Sequence, residues 1–172
     1  ESFDVYCDAD FSGNWDRKEA DTDPDTARSR SGYVISYAGC PIIWASKLQS
    51  LIALSSTESE YISCSTALRD TIPLMGLARE LRDYGFNIKT TMPTVHCRVF
   101  EDNSGALEIA TIHKVRPRTK HLNVQLHHFR QYVDQGDIAI LPITSELQRA
   151  DLLTHMTSLG TLVRHRTAIM GW

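Results

Sequence analysis

The stretch Phe-Asp-Val-Tyr-Cys-Asp, residues 3–8, decides the fold that this chain is expected to adopt. Its apolar and polar side chains alternate, and valine and the aromatic residues favour extended backbone, so residues 3–7 predict a β-strand. Asp8 then stands at the carboxyl end of that strand. Because ligand sites in open α/β sheets form at the carboxyl ends of strands, Asp8 is the first candidate for a functional residue.

Further strands and helices follow this first strand along the chain. Strand-forming residues between turn residues predict strands over 32–37, 40–45, 95–100 and 137–143. Apolar residues at helical spacing predict helices over 55–84, 103–111, 121–135 and 149–155, and a short helix within the tail at 157–172. Early consecutive strands favour an antiparallel meander, and later alternation favours parallel crossovers. The sequence therefore predicts a mixed α/β fold, a five-stranded mixed sheet with helices on both faces.

Two features of the longest predicted helix concern its shape. Pro73 and Gly76 interrupt its pattern, and proline removes a backbone donor, so we expect a kink or two separate helices. Gly85 stands where a residue in the left-handed conformation commonly ends a helix.

Length and composition exclude several classes of protein. With 172 residues, 42% hydrophobic and 23% charged, the chain can fill the core of one domain, with or without a tail. Its apolar runs are shorter than the ~18 residues of a membrane span. The formal charge of −3 lacks the basic excess usual in nucleic-acid binders. The four cysteines form no C-x-x-C pair, so we expect buried free thiols in a reducing compartment rather than zinc.

Four acidic residues lie at the expected ends of strands and starts of helices. Asp8 and Asp102 end the first and fourth strands, and they would meet if those strands are neighbours. Glu60 and Asp151 lie in the first turns of two helices that could reach the same place. Carboxylates that share a cleft repel one another, and divalent cations such as Mg²⁺ or Mn²⁺ relieve that repulsion. Two such ions can activate a water and stabilise a leaving oxygen in phosphodiester hydrolysis.

Each acid also has a purely structural interpretation, as a turn residue, a helix cap or a first-turn acid. Glu60, for example, could complete a capping box headed by Thr57, although Ser55 with Glu58 makes an equally good box and leaves Glu60 spare. Taken singly, these interpretations are at least as good as a metal site. The joint pattern of the four acids is what favours the metal site.

A calcium-binding loop of the EF-hand type is a further interpretation, since residues 8–19 match its spacing. Such a loop needs a helix on each side, whereas residues 3–7 have a strand pattern and residues 20–30 lack an apolar stripe. We therefore reject the EF-hand and expect Asp8 and Asp10 to contribute around a metal in another way.

Six segments of the chain point to a family. They are Y-C-D-A-D-F-S-G-N, the stretch from S-R-S-G-Y-V to S-K-L-Q-S, A-L-S-S-T-E-S-E-Y, F-E-D-N-S-G-A-L, R-T-K-H-L-N-V-Q-L-H-H-F-R and L-Q-R-A-D-L-L-T-H. In this order, over roughly residues 3–157, they resemble the ribonuclease H domain of copia-type (LTR) retrotransposon Pol polyproteins. The S-G-Y-V, S-S-T-E-S-E-Y and R-T-K-H blocks are specific to that group.

The resemblance implies an endonuclease that hydrolyses the RNA strand of RNA–DNA hybrids during reverse transcription. It implies two Mg²⁺ ions as cofactors, with Mn²⁺ as a substitute. The family's four acids, which are its catalytic residues and its metal ligands, fall on Asp8, Glu60, Asp102 and Asp151. We expect Asp8 and Asp102 to contact both ions, while Glu60 and Asp151 complete one ion each.

The resemblance also implies a setting for the chain. Residues 1–156 would be the ribonuclease H-like domain, and residues 157–172 the terminal helix of a polyprotein. An upstream reverse transcriptase would be its partner, without any membrane, in a cytoplasmic virus-like particle or in the nucleus. Because a strand begins within the first residues, we expect the chain to be a piece of a longer polypeptide.

Contacts to the hybrid are expected from polar residues beside the acids and from one basic loop. Proteins distinguish RNA from DNA by its 2′-hydroxyls, which line a wide minor groove. Candidates for those contacts are Ser12, Asn14, Asn103 and Ser104. Candidates for the phosphates of the partner strand are Arg118, Lys120 and His121, in a loop that also holds Lys114 and Arg116. A merely solvated loop is the alternative.

The chain departs from the family pattern at a few positions. The loop over 14–30 is long, Asn123 replaces a common aspartate, and His155 replaces a common lysine. Two other functions therefore stay open. One is a catalytically inactive module of the same fold that binds nucleic acid or supports the upstream reverse transcriptase. The other is a DNA-integrating transferase of related fold, which would use three acids with a late glutamate where this chain has Asp151.

Overall fold

A five-stranded mixed sheet forms the centre of the molecule. The structure is a computed structural model, and it describes residues 2–19, 21–88, 96–111 and 128–172. The strands are β1 (Phe3–Asp10), β2 (Arg30–Tyr37), β3 (Cys40–Leu48), β4 (Cys97–Glu101) and β5 (Ile138–Pro142). They lie in the order β3-β2-β1-β4-β5, antiparallel among the first three in the chain and parallel from β1 through β4 to β5. The predicted fold class is confirmed, and the condition for Asp8 and Asp102 to meet is fulfilled, because β1 and β4 are neighbours.

Helices lie on both faces of this sheet. They are α1 (Ser56–Asp83), α2 (Ser104–Thr111), α3 (Arg130–Asp134) and α4 (Leu159–Met170), together with 3₁₀ helices at Pro24–Ala27, Ser145–Leu147 and Arg149–Leu153. Val5, Cys7 and Tyr33 belong to the core on the α1 side. The alternate residue Tyr6 packs on the opposite face, where the Arg149 guanidinium lies over its ring.

Two sequence predictions about the bounds and type of these elements are wrong. β1 runs on to Asp10, so Asp8 lies inside the strand rather than at its end. The continuation has a physical cause, since β2 pairs with β1 along its whole length. Residues 149–153 form a 3₁₀ helix rather than the start of an α-helix, and α4 begins only at Leu159. Of the predicted helix over 121–135, residues 121–127 lie outside the described residues.

Of the two shapes expected for the long helix, a kink or two separate helices, the second is wrong, because α1 is one continuous element through Pro73. Proline costs the helix a hydrogen bond, but Thr71 and Met75 on either side of it are buried. This packing keeps the element in one piece. Gly85 has the left-handed φ of 88° expected of a residue that ends a helix.

The cysteines are all free, as expected, although one of them is not buried. Cys7, Cys64 and Cys97 are in the core, whereas Cys40 is exposed at the start of the edge strand β3. No helix among the described residues is long and apolar enough to cross a membrane. The division of the chain at residue 157 stays a prediction. α4 lies beside β3 and the Arg149–Leu153 helix, with His165 buried.

Gly32 of the S-G-Y-V block allows the Arg149–Leu153 helix and the turn after it to lie directly on the sheet. A Cβ added at Gly32 would stand 2.7 Å from Thr154 Cγ2 and 2.8 Å from Leu153 Cβ. Gly32 pairs with Asp8 across the β1–β2 ladder. Any side chain here would therefore push the segment that carries Asp151 away from Asp8.

Substituting Gly32→Ala should lower the free energy of unfolding by about 1–3 kcal/mol, because the close contacts must yield to the new methyl group. Gly76→Ala is the matched control. Gly76 lies inside α1 with open space around it, so alanine should raise stability by about 0.5–1 kcal/mol. Urea denaturation of both variants measures the difference. Equal effects of the two substitutions would mean that the close approach at Gly32 has no energetic role.

Candidate active site

The candidate site lies where β1 and β4 part. Their parallel pairing extends only as far as Tyr6 and Phe100, so Asp8 lies two residues beyond it. The fully buried Gln148 side chain occupies the gap between the two diverging strands, which we call the fork. Its Nε2 donates to the carbonyl oxygens of Cys7 at 2.9 Å and Phe100 at 3.2 Å. Beyond the fork, room remains beside Asp8 for side chains from α1 and from the end of β4.

The start of α1 brings Glu60 to this place. Ser55 is the N-cap and accepts from the N–H of Glu58 at 3.2 Å, while Glu58 accepts from the N–H before the cap. Glu58 therefore serves the cap, as in the alternative capping box, and Glu60 remains for another role. The Ser63 hydroxyl donates to the carbonyl oxygen of Asp8 at 2.7 Å and fixes α1 against β1.

The end of β4 supplies Asp102. The capping interpretation of this residue is wrong, because Asn103 caps α2, its Oδ1 accepting from the N–H of Ala106 at 3.0 Å. The Asp102 carboxylate instead accepts from the Ser145 hydroxyl at 2.6 Å. Asp102 is thus held in place but remains partly accessible.

Asp8, Glu60 and Asp102 converge into one cluster. Each offers a carboxylate oxygen, and these oxygens all lie within 4.8 Å of one another. Asp8 and Glu60 are 4% and 7% exposed. The three residues come from one strand, one helix and one strand end, far apart along the chain.

Burial and mutual repulsion disfavour the simultaneous ionisation of all three carboxyl groups in this cluster. Burial, followed by the charges of Asp8, Glu101 and Asp102, raises the pKa of Glu60 to about 11. Burial also raises the pKa of Asp8, against the hydrogen bond from Thr154. Glu60 Oε2 is buried without a hydrogen-bond partner within the described part of the chain. An orphaned carboxylate oxygen among other hard oxygen donors is the environment that a divalent cation such as Mg²⁺ fits.

Asp151 lies beside this cluster but outside the 4.8 Å group. It belongs to the first turn of the Arg149–Leu153 helix. Burial, and then the charges of Asp8 and Asp102, raise its pKa to about 7. Asp151 is therefore within electrostatic reach of the same centre, at its more open side.

Three further residues at the site were missed from the sequence. Glu101 is buried and accepts from the N–H of Asn103 at 3.1 Å, and burial raises its pKa to about 8. Gln148 fills the fork, and Thr154 donates a hydrogen bond to Asp8. Glu101 could have been noticed as a second acid beside Asp102. No local signal marks these contacts of the other two, since the partners lie between 48 and 146 positions away in the sequence.

The predicted substrate contacts fall into three groups. Asn14 and Ser104 are exposed and free to meet a ligand. Ser12 and Asn103 already have structural partners: the Ser12 hydroxyl donates to the carbonyl oxygen of Ala27 at 2.9 Å, and Asn103 caps α2. The basic candidates Arg118, Lys120 and His121, with Lys114 and Arg116, lie outside the described residues.

Asp10 does not join the cluster, contrary to our expectation that it contributes around a metal. It is buried, and its Oδ1 accepts from the backbone N–H of Arg30. The Cβ of any larger residue at position 13 would lie 2.6 Å from its Oδ2, so Gly13 closes the loop tightly over it. Asp10 therefore links the end of β1 to the start of β2 by this hydrogen bond.

A scan against models of known protein families finds no match, but curated proteins do match. The chain is 34% identical over 149 residues to the retrovirus-related Pol polyprotein from transposon TNT 1-94 of Nicotiana tabacum, covering 87% of this chain and 10% of that protein. It is 31% identical over 153 residues to the corresponding polyprotein from transposon RE1 of Arabidopsis thaliana, covering 89% and 9%. The chain is homologous to a segment of these retrotransposon Pol polyproteins. It spans about a tenth of the length of these curated relatives.

The fold of this Pol segment is that of ribonuclease H. The structure is similar to the N-terminal RNase H domain of a Mycobacterium tuberculosis protein that was solved as a fusion with maltose-binding protein. The TM-score is 0.57 over 97% of each chain, with 13% sequence identity. The family resemblance expected from the six sequence segments is confirmed.

Proposed function

We propose that this Pol segment is an endonuclease that hydrolyses the RNA strand of RNA–DNA hybrids during reverse transcription. The observation that carries the proposal is the convergence of Asp8, Glu60 and Asp102 within 4.8 Å, at the fork of a ribonuclease H-type sheet. Fold alone does not determine function. The carboxylates at this fork are what make a nuclease the better candidate than an inactive module.

The donor set fits Mg²⁺, with Mn²⁺ as a substitute. Asp8, Glu60 and Asp102 would hold the cations, and Asp151 would complete the set from the open side of the site. When bound, two such ions supply a water of lowered pKa and stabilisation of the leaving oxygen. The high pKa of Glu60 reflects its burial first and then the nearby charges of Asp8, Glu101 and Asp102, both of which a bound cation would offset.

The chain's own residues would position the substrate and the acids. Ser145 orients Asp102, and Ser63 fixes the backbone at Asp8. Exposed Ser104 and Asn14 lie next to the ends of β4 and β1 and would contact 2′-hydroxyls of the RNA strand. The basic loop around Arg118 and Lys120 would bind phosphates of the partner strand. Because the net charge is −3, binding by this segment alone should be weak and sensitive to salt.

The proposed setting of the segment is supported by the kind of protein its relatives are. They are whole Pol polyproteins, so we propose that a reverse transcriptase in the same polyprotein is the partner of this segment. Residues 1–156 would be the nuclease domain and residues 157–172 a C-terminal extension. The place of action would be a cytoplasmic virus-like particle or the nucleus.

Cleavage of end-labelled duplexes tests the proposal. The protein should cut the RNA strand of an RNA–DNA hybrid in Mg²⁺ or Mn²⁺, leave 5′-phosphate ends, and stop in EDTA. The matched DNA duplex of the same sequence should remain intact. Binding of the hybrid without cleavage in either metal would instead favour the inactive module, and cleavage of the DNA duplex would favour the transferase.

A further inference from the structure

Thr154 connects the segment that carries Asp151 to the central carboxylate of the site. Its hydroxyl donates a hydrogen bond to Oδ2 of Asp8, across 146 positions of the chain. The same hydroxyl lies 3.4 Å from the carbonyl oxygen of Asp151. We propose that Thr154 is a positioning residue, which fixes one oxygen of Asp8 so that the carboxylate is oriented for divalent cations.

The two branches of the Thr154 side chain have separate partners. Its hydroxyl faces Asp8, whereas its methyl Cγ2 lies against Gly32, 2.7 Å from where a Cβ on that glycine would stand. The methyl contact places the residue, because Gly32 pairs with Asp8 in the sheet. The hydroxyl contact then acts on the carboxylate itself. This separation allows the two contributions to be tested independently.

Asp8 depends on such a partner for its orientation. Its carboxylate is 5% exposed, so water contributes little to holding it. Within the cluster the Glu60 carboxyl also forms a hydrogen bond with Asp8. Outside the cluster, the only other cationic or hydroxyl group near Asp8 Oδ2 among the described residues is His155 Nε2 at 3.6 Å. That distance exceeds a good hydrogen bond, and the His155 side chain is 50% exposed. Thr154 is therefore the closer and more enclosed of these two partners outside the cluster.

A carboxylate that binds metal gains affinity when an outer hydrogen bond orients it, and loss of such a partner typically costs about 10–100-fold in affinity or activity. Thr154 would have this effect on Asp8. The inference rests on the proposed function, since it assumes that Asp8 binds a divalent cation. It adds a residue outside the four acids, and it gives a chemical reason for a threonine three positions after Asp151.

Thr154→Val and Thr154→Ser separate the hydroxyl from the methyl group. Valine keeps the shape and the contact to Gly32 but removes the donor, and serine keeps the donor but removes the methyl group. Thr66→Val is a matched control, because among the described residues the Thr66 hydroxyl donates only to the carbonyl oxygen of Ile62 within α1. The readouts are the dissociation constant of Mn²⁺ by titration calorimetry, the Mg²⁺ concentration for half-maximal cleavage of the hybrid, and thermal unfolding without metal.

Thr154→Val should weaken Mn²⁺ binding by about 10-fold or more and raise the Mg²⁺ requirement in parallel, while KM for the hybrid at saturating Mg²⁺ stays near that of the wild type. Thr154→Ser should restore metal affinity, even if its unfolding temperature falls. Wild-type Mn²⁺ affinity in Thr154→Val would overturn the role of Thr154 and leave the proposed function intact. A wild-type protein that binds no Mn²⁺ would overturn both. Equal losses of Mn²⁺ affinity in Thr154→Val and Thr154→Ser would show that packing is the cause, and would overturn the role of the hydroxyl.

Discussion

Substituting Asp8→Asn should reduce Mg²⁺-dependent cleavage of the hybrid by more than about 100-fold, since loss of an outer hydrogen bond alone can cost that much. Asparagine has nearly the same shape and can still accept the hydrogen bond from Thr154. It removes the negative charge that makes Asp8 a strong ligand for a hard cation. The fold should survive, because Asp8 in the absence of metal is held in an unfavourable cluster of acids. Single-turnover cleavage rates at saturating Mg²⁺ measure the effect.

Asp10→Asn is the matched control for this substitution. Asp10 is two residues along the same strand and equally buried, but its carboxylate accepts from the backbone of Arg30 and lies outside the cluster. Asparagine keeps that acceptor, so the control should retain most of the activity. If both variants lost activity equally, the cause would be charge or packing in β1. The assignment of Asp8 as a metal ligand would then be contradicted.

The elements of the fold that carry a local signal could be predicted from the sequence. The alternation over residues 3–7 predicted β1, and the order of strands and helices predicted a five-stranded mixed sheet. The sequence offered two equally good capping boxes at the start of α1, and the structure has the one formed by Ser55 and Glu58, which leaves Glu60 spare. In each case the physical cause lies within a few residues of the element that it determines.

The features that could not be predicted depend on contacts between distant segments. β1 continues past Asp8 because β2 pairs with it, and α1 continues past Pro73 because Thr71 and Met75 are buried. The same limit applies to Gln148, whose side chain fills the fork that exposes Asp8 to its partners. Sequence motifs therefore identified acids that share the site, but not the residues that hold them there.

The second prediction with a large effect concerns the pH dependence of stability without metal. The pKa of Glu60 is about 11 in the folded protein, against an ordinary value of 4.5. Between these two pH values the folded protein binds one proton more than the unfolded chain. The contribution of Glu60 to stability should therefore be fully present below pH 4.5. As the pH rises above that value, the free energy of unfolding should fall by up to about 1.4 kcal/mol per pH unit. From pH 5 to 8 this amounts to roughly 4 kcal/mol.

Glu60→Gln isolates this contribution, because glutamine stays neutral and cannot release a proton. Asp151 and Glu101, with pKa values raised to about 7 and about 8, titrate in both proteins, so the difference between the two curves reports on Glu60. In EDTA, urea denaturation from pH 5 to 8 should show a much flatter curve for Glu60→Gln than for the wild type. Parallel curves would contradict the buried, protonated Glu60.

Mg²⁺ should reverse the loss of stability in the wild type at pH 8 and have little effect on Glu60→Gln. A cation that binds the folded state alone stabilises it in proportion to the logarithm of its concentration. Binding should strengthen with pH, because the cation competes with the proton for the same carboxylate oxygens. The variant would thus be more stable than the wild type without metal and far less active with it. Both differences have one cause, since burial and the nearby charges that raise the pKa of Glu60 disfavour its ionised form, which a bound cation would stabilise.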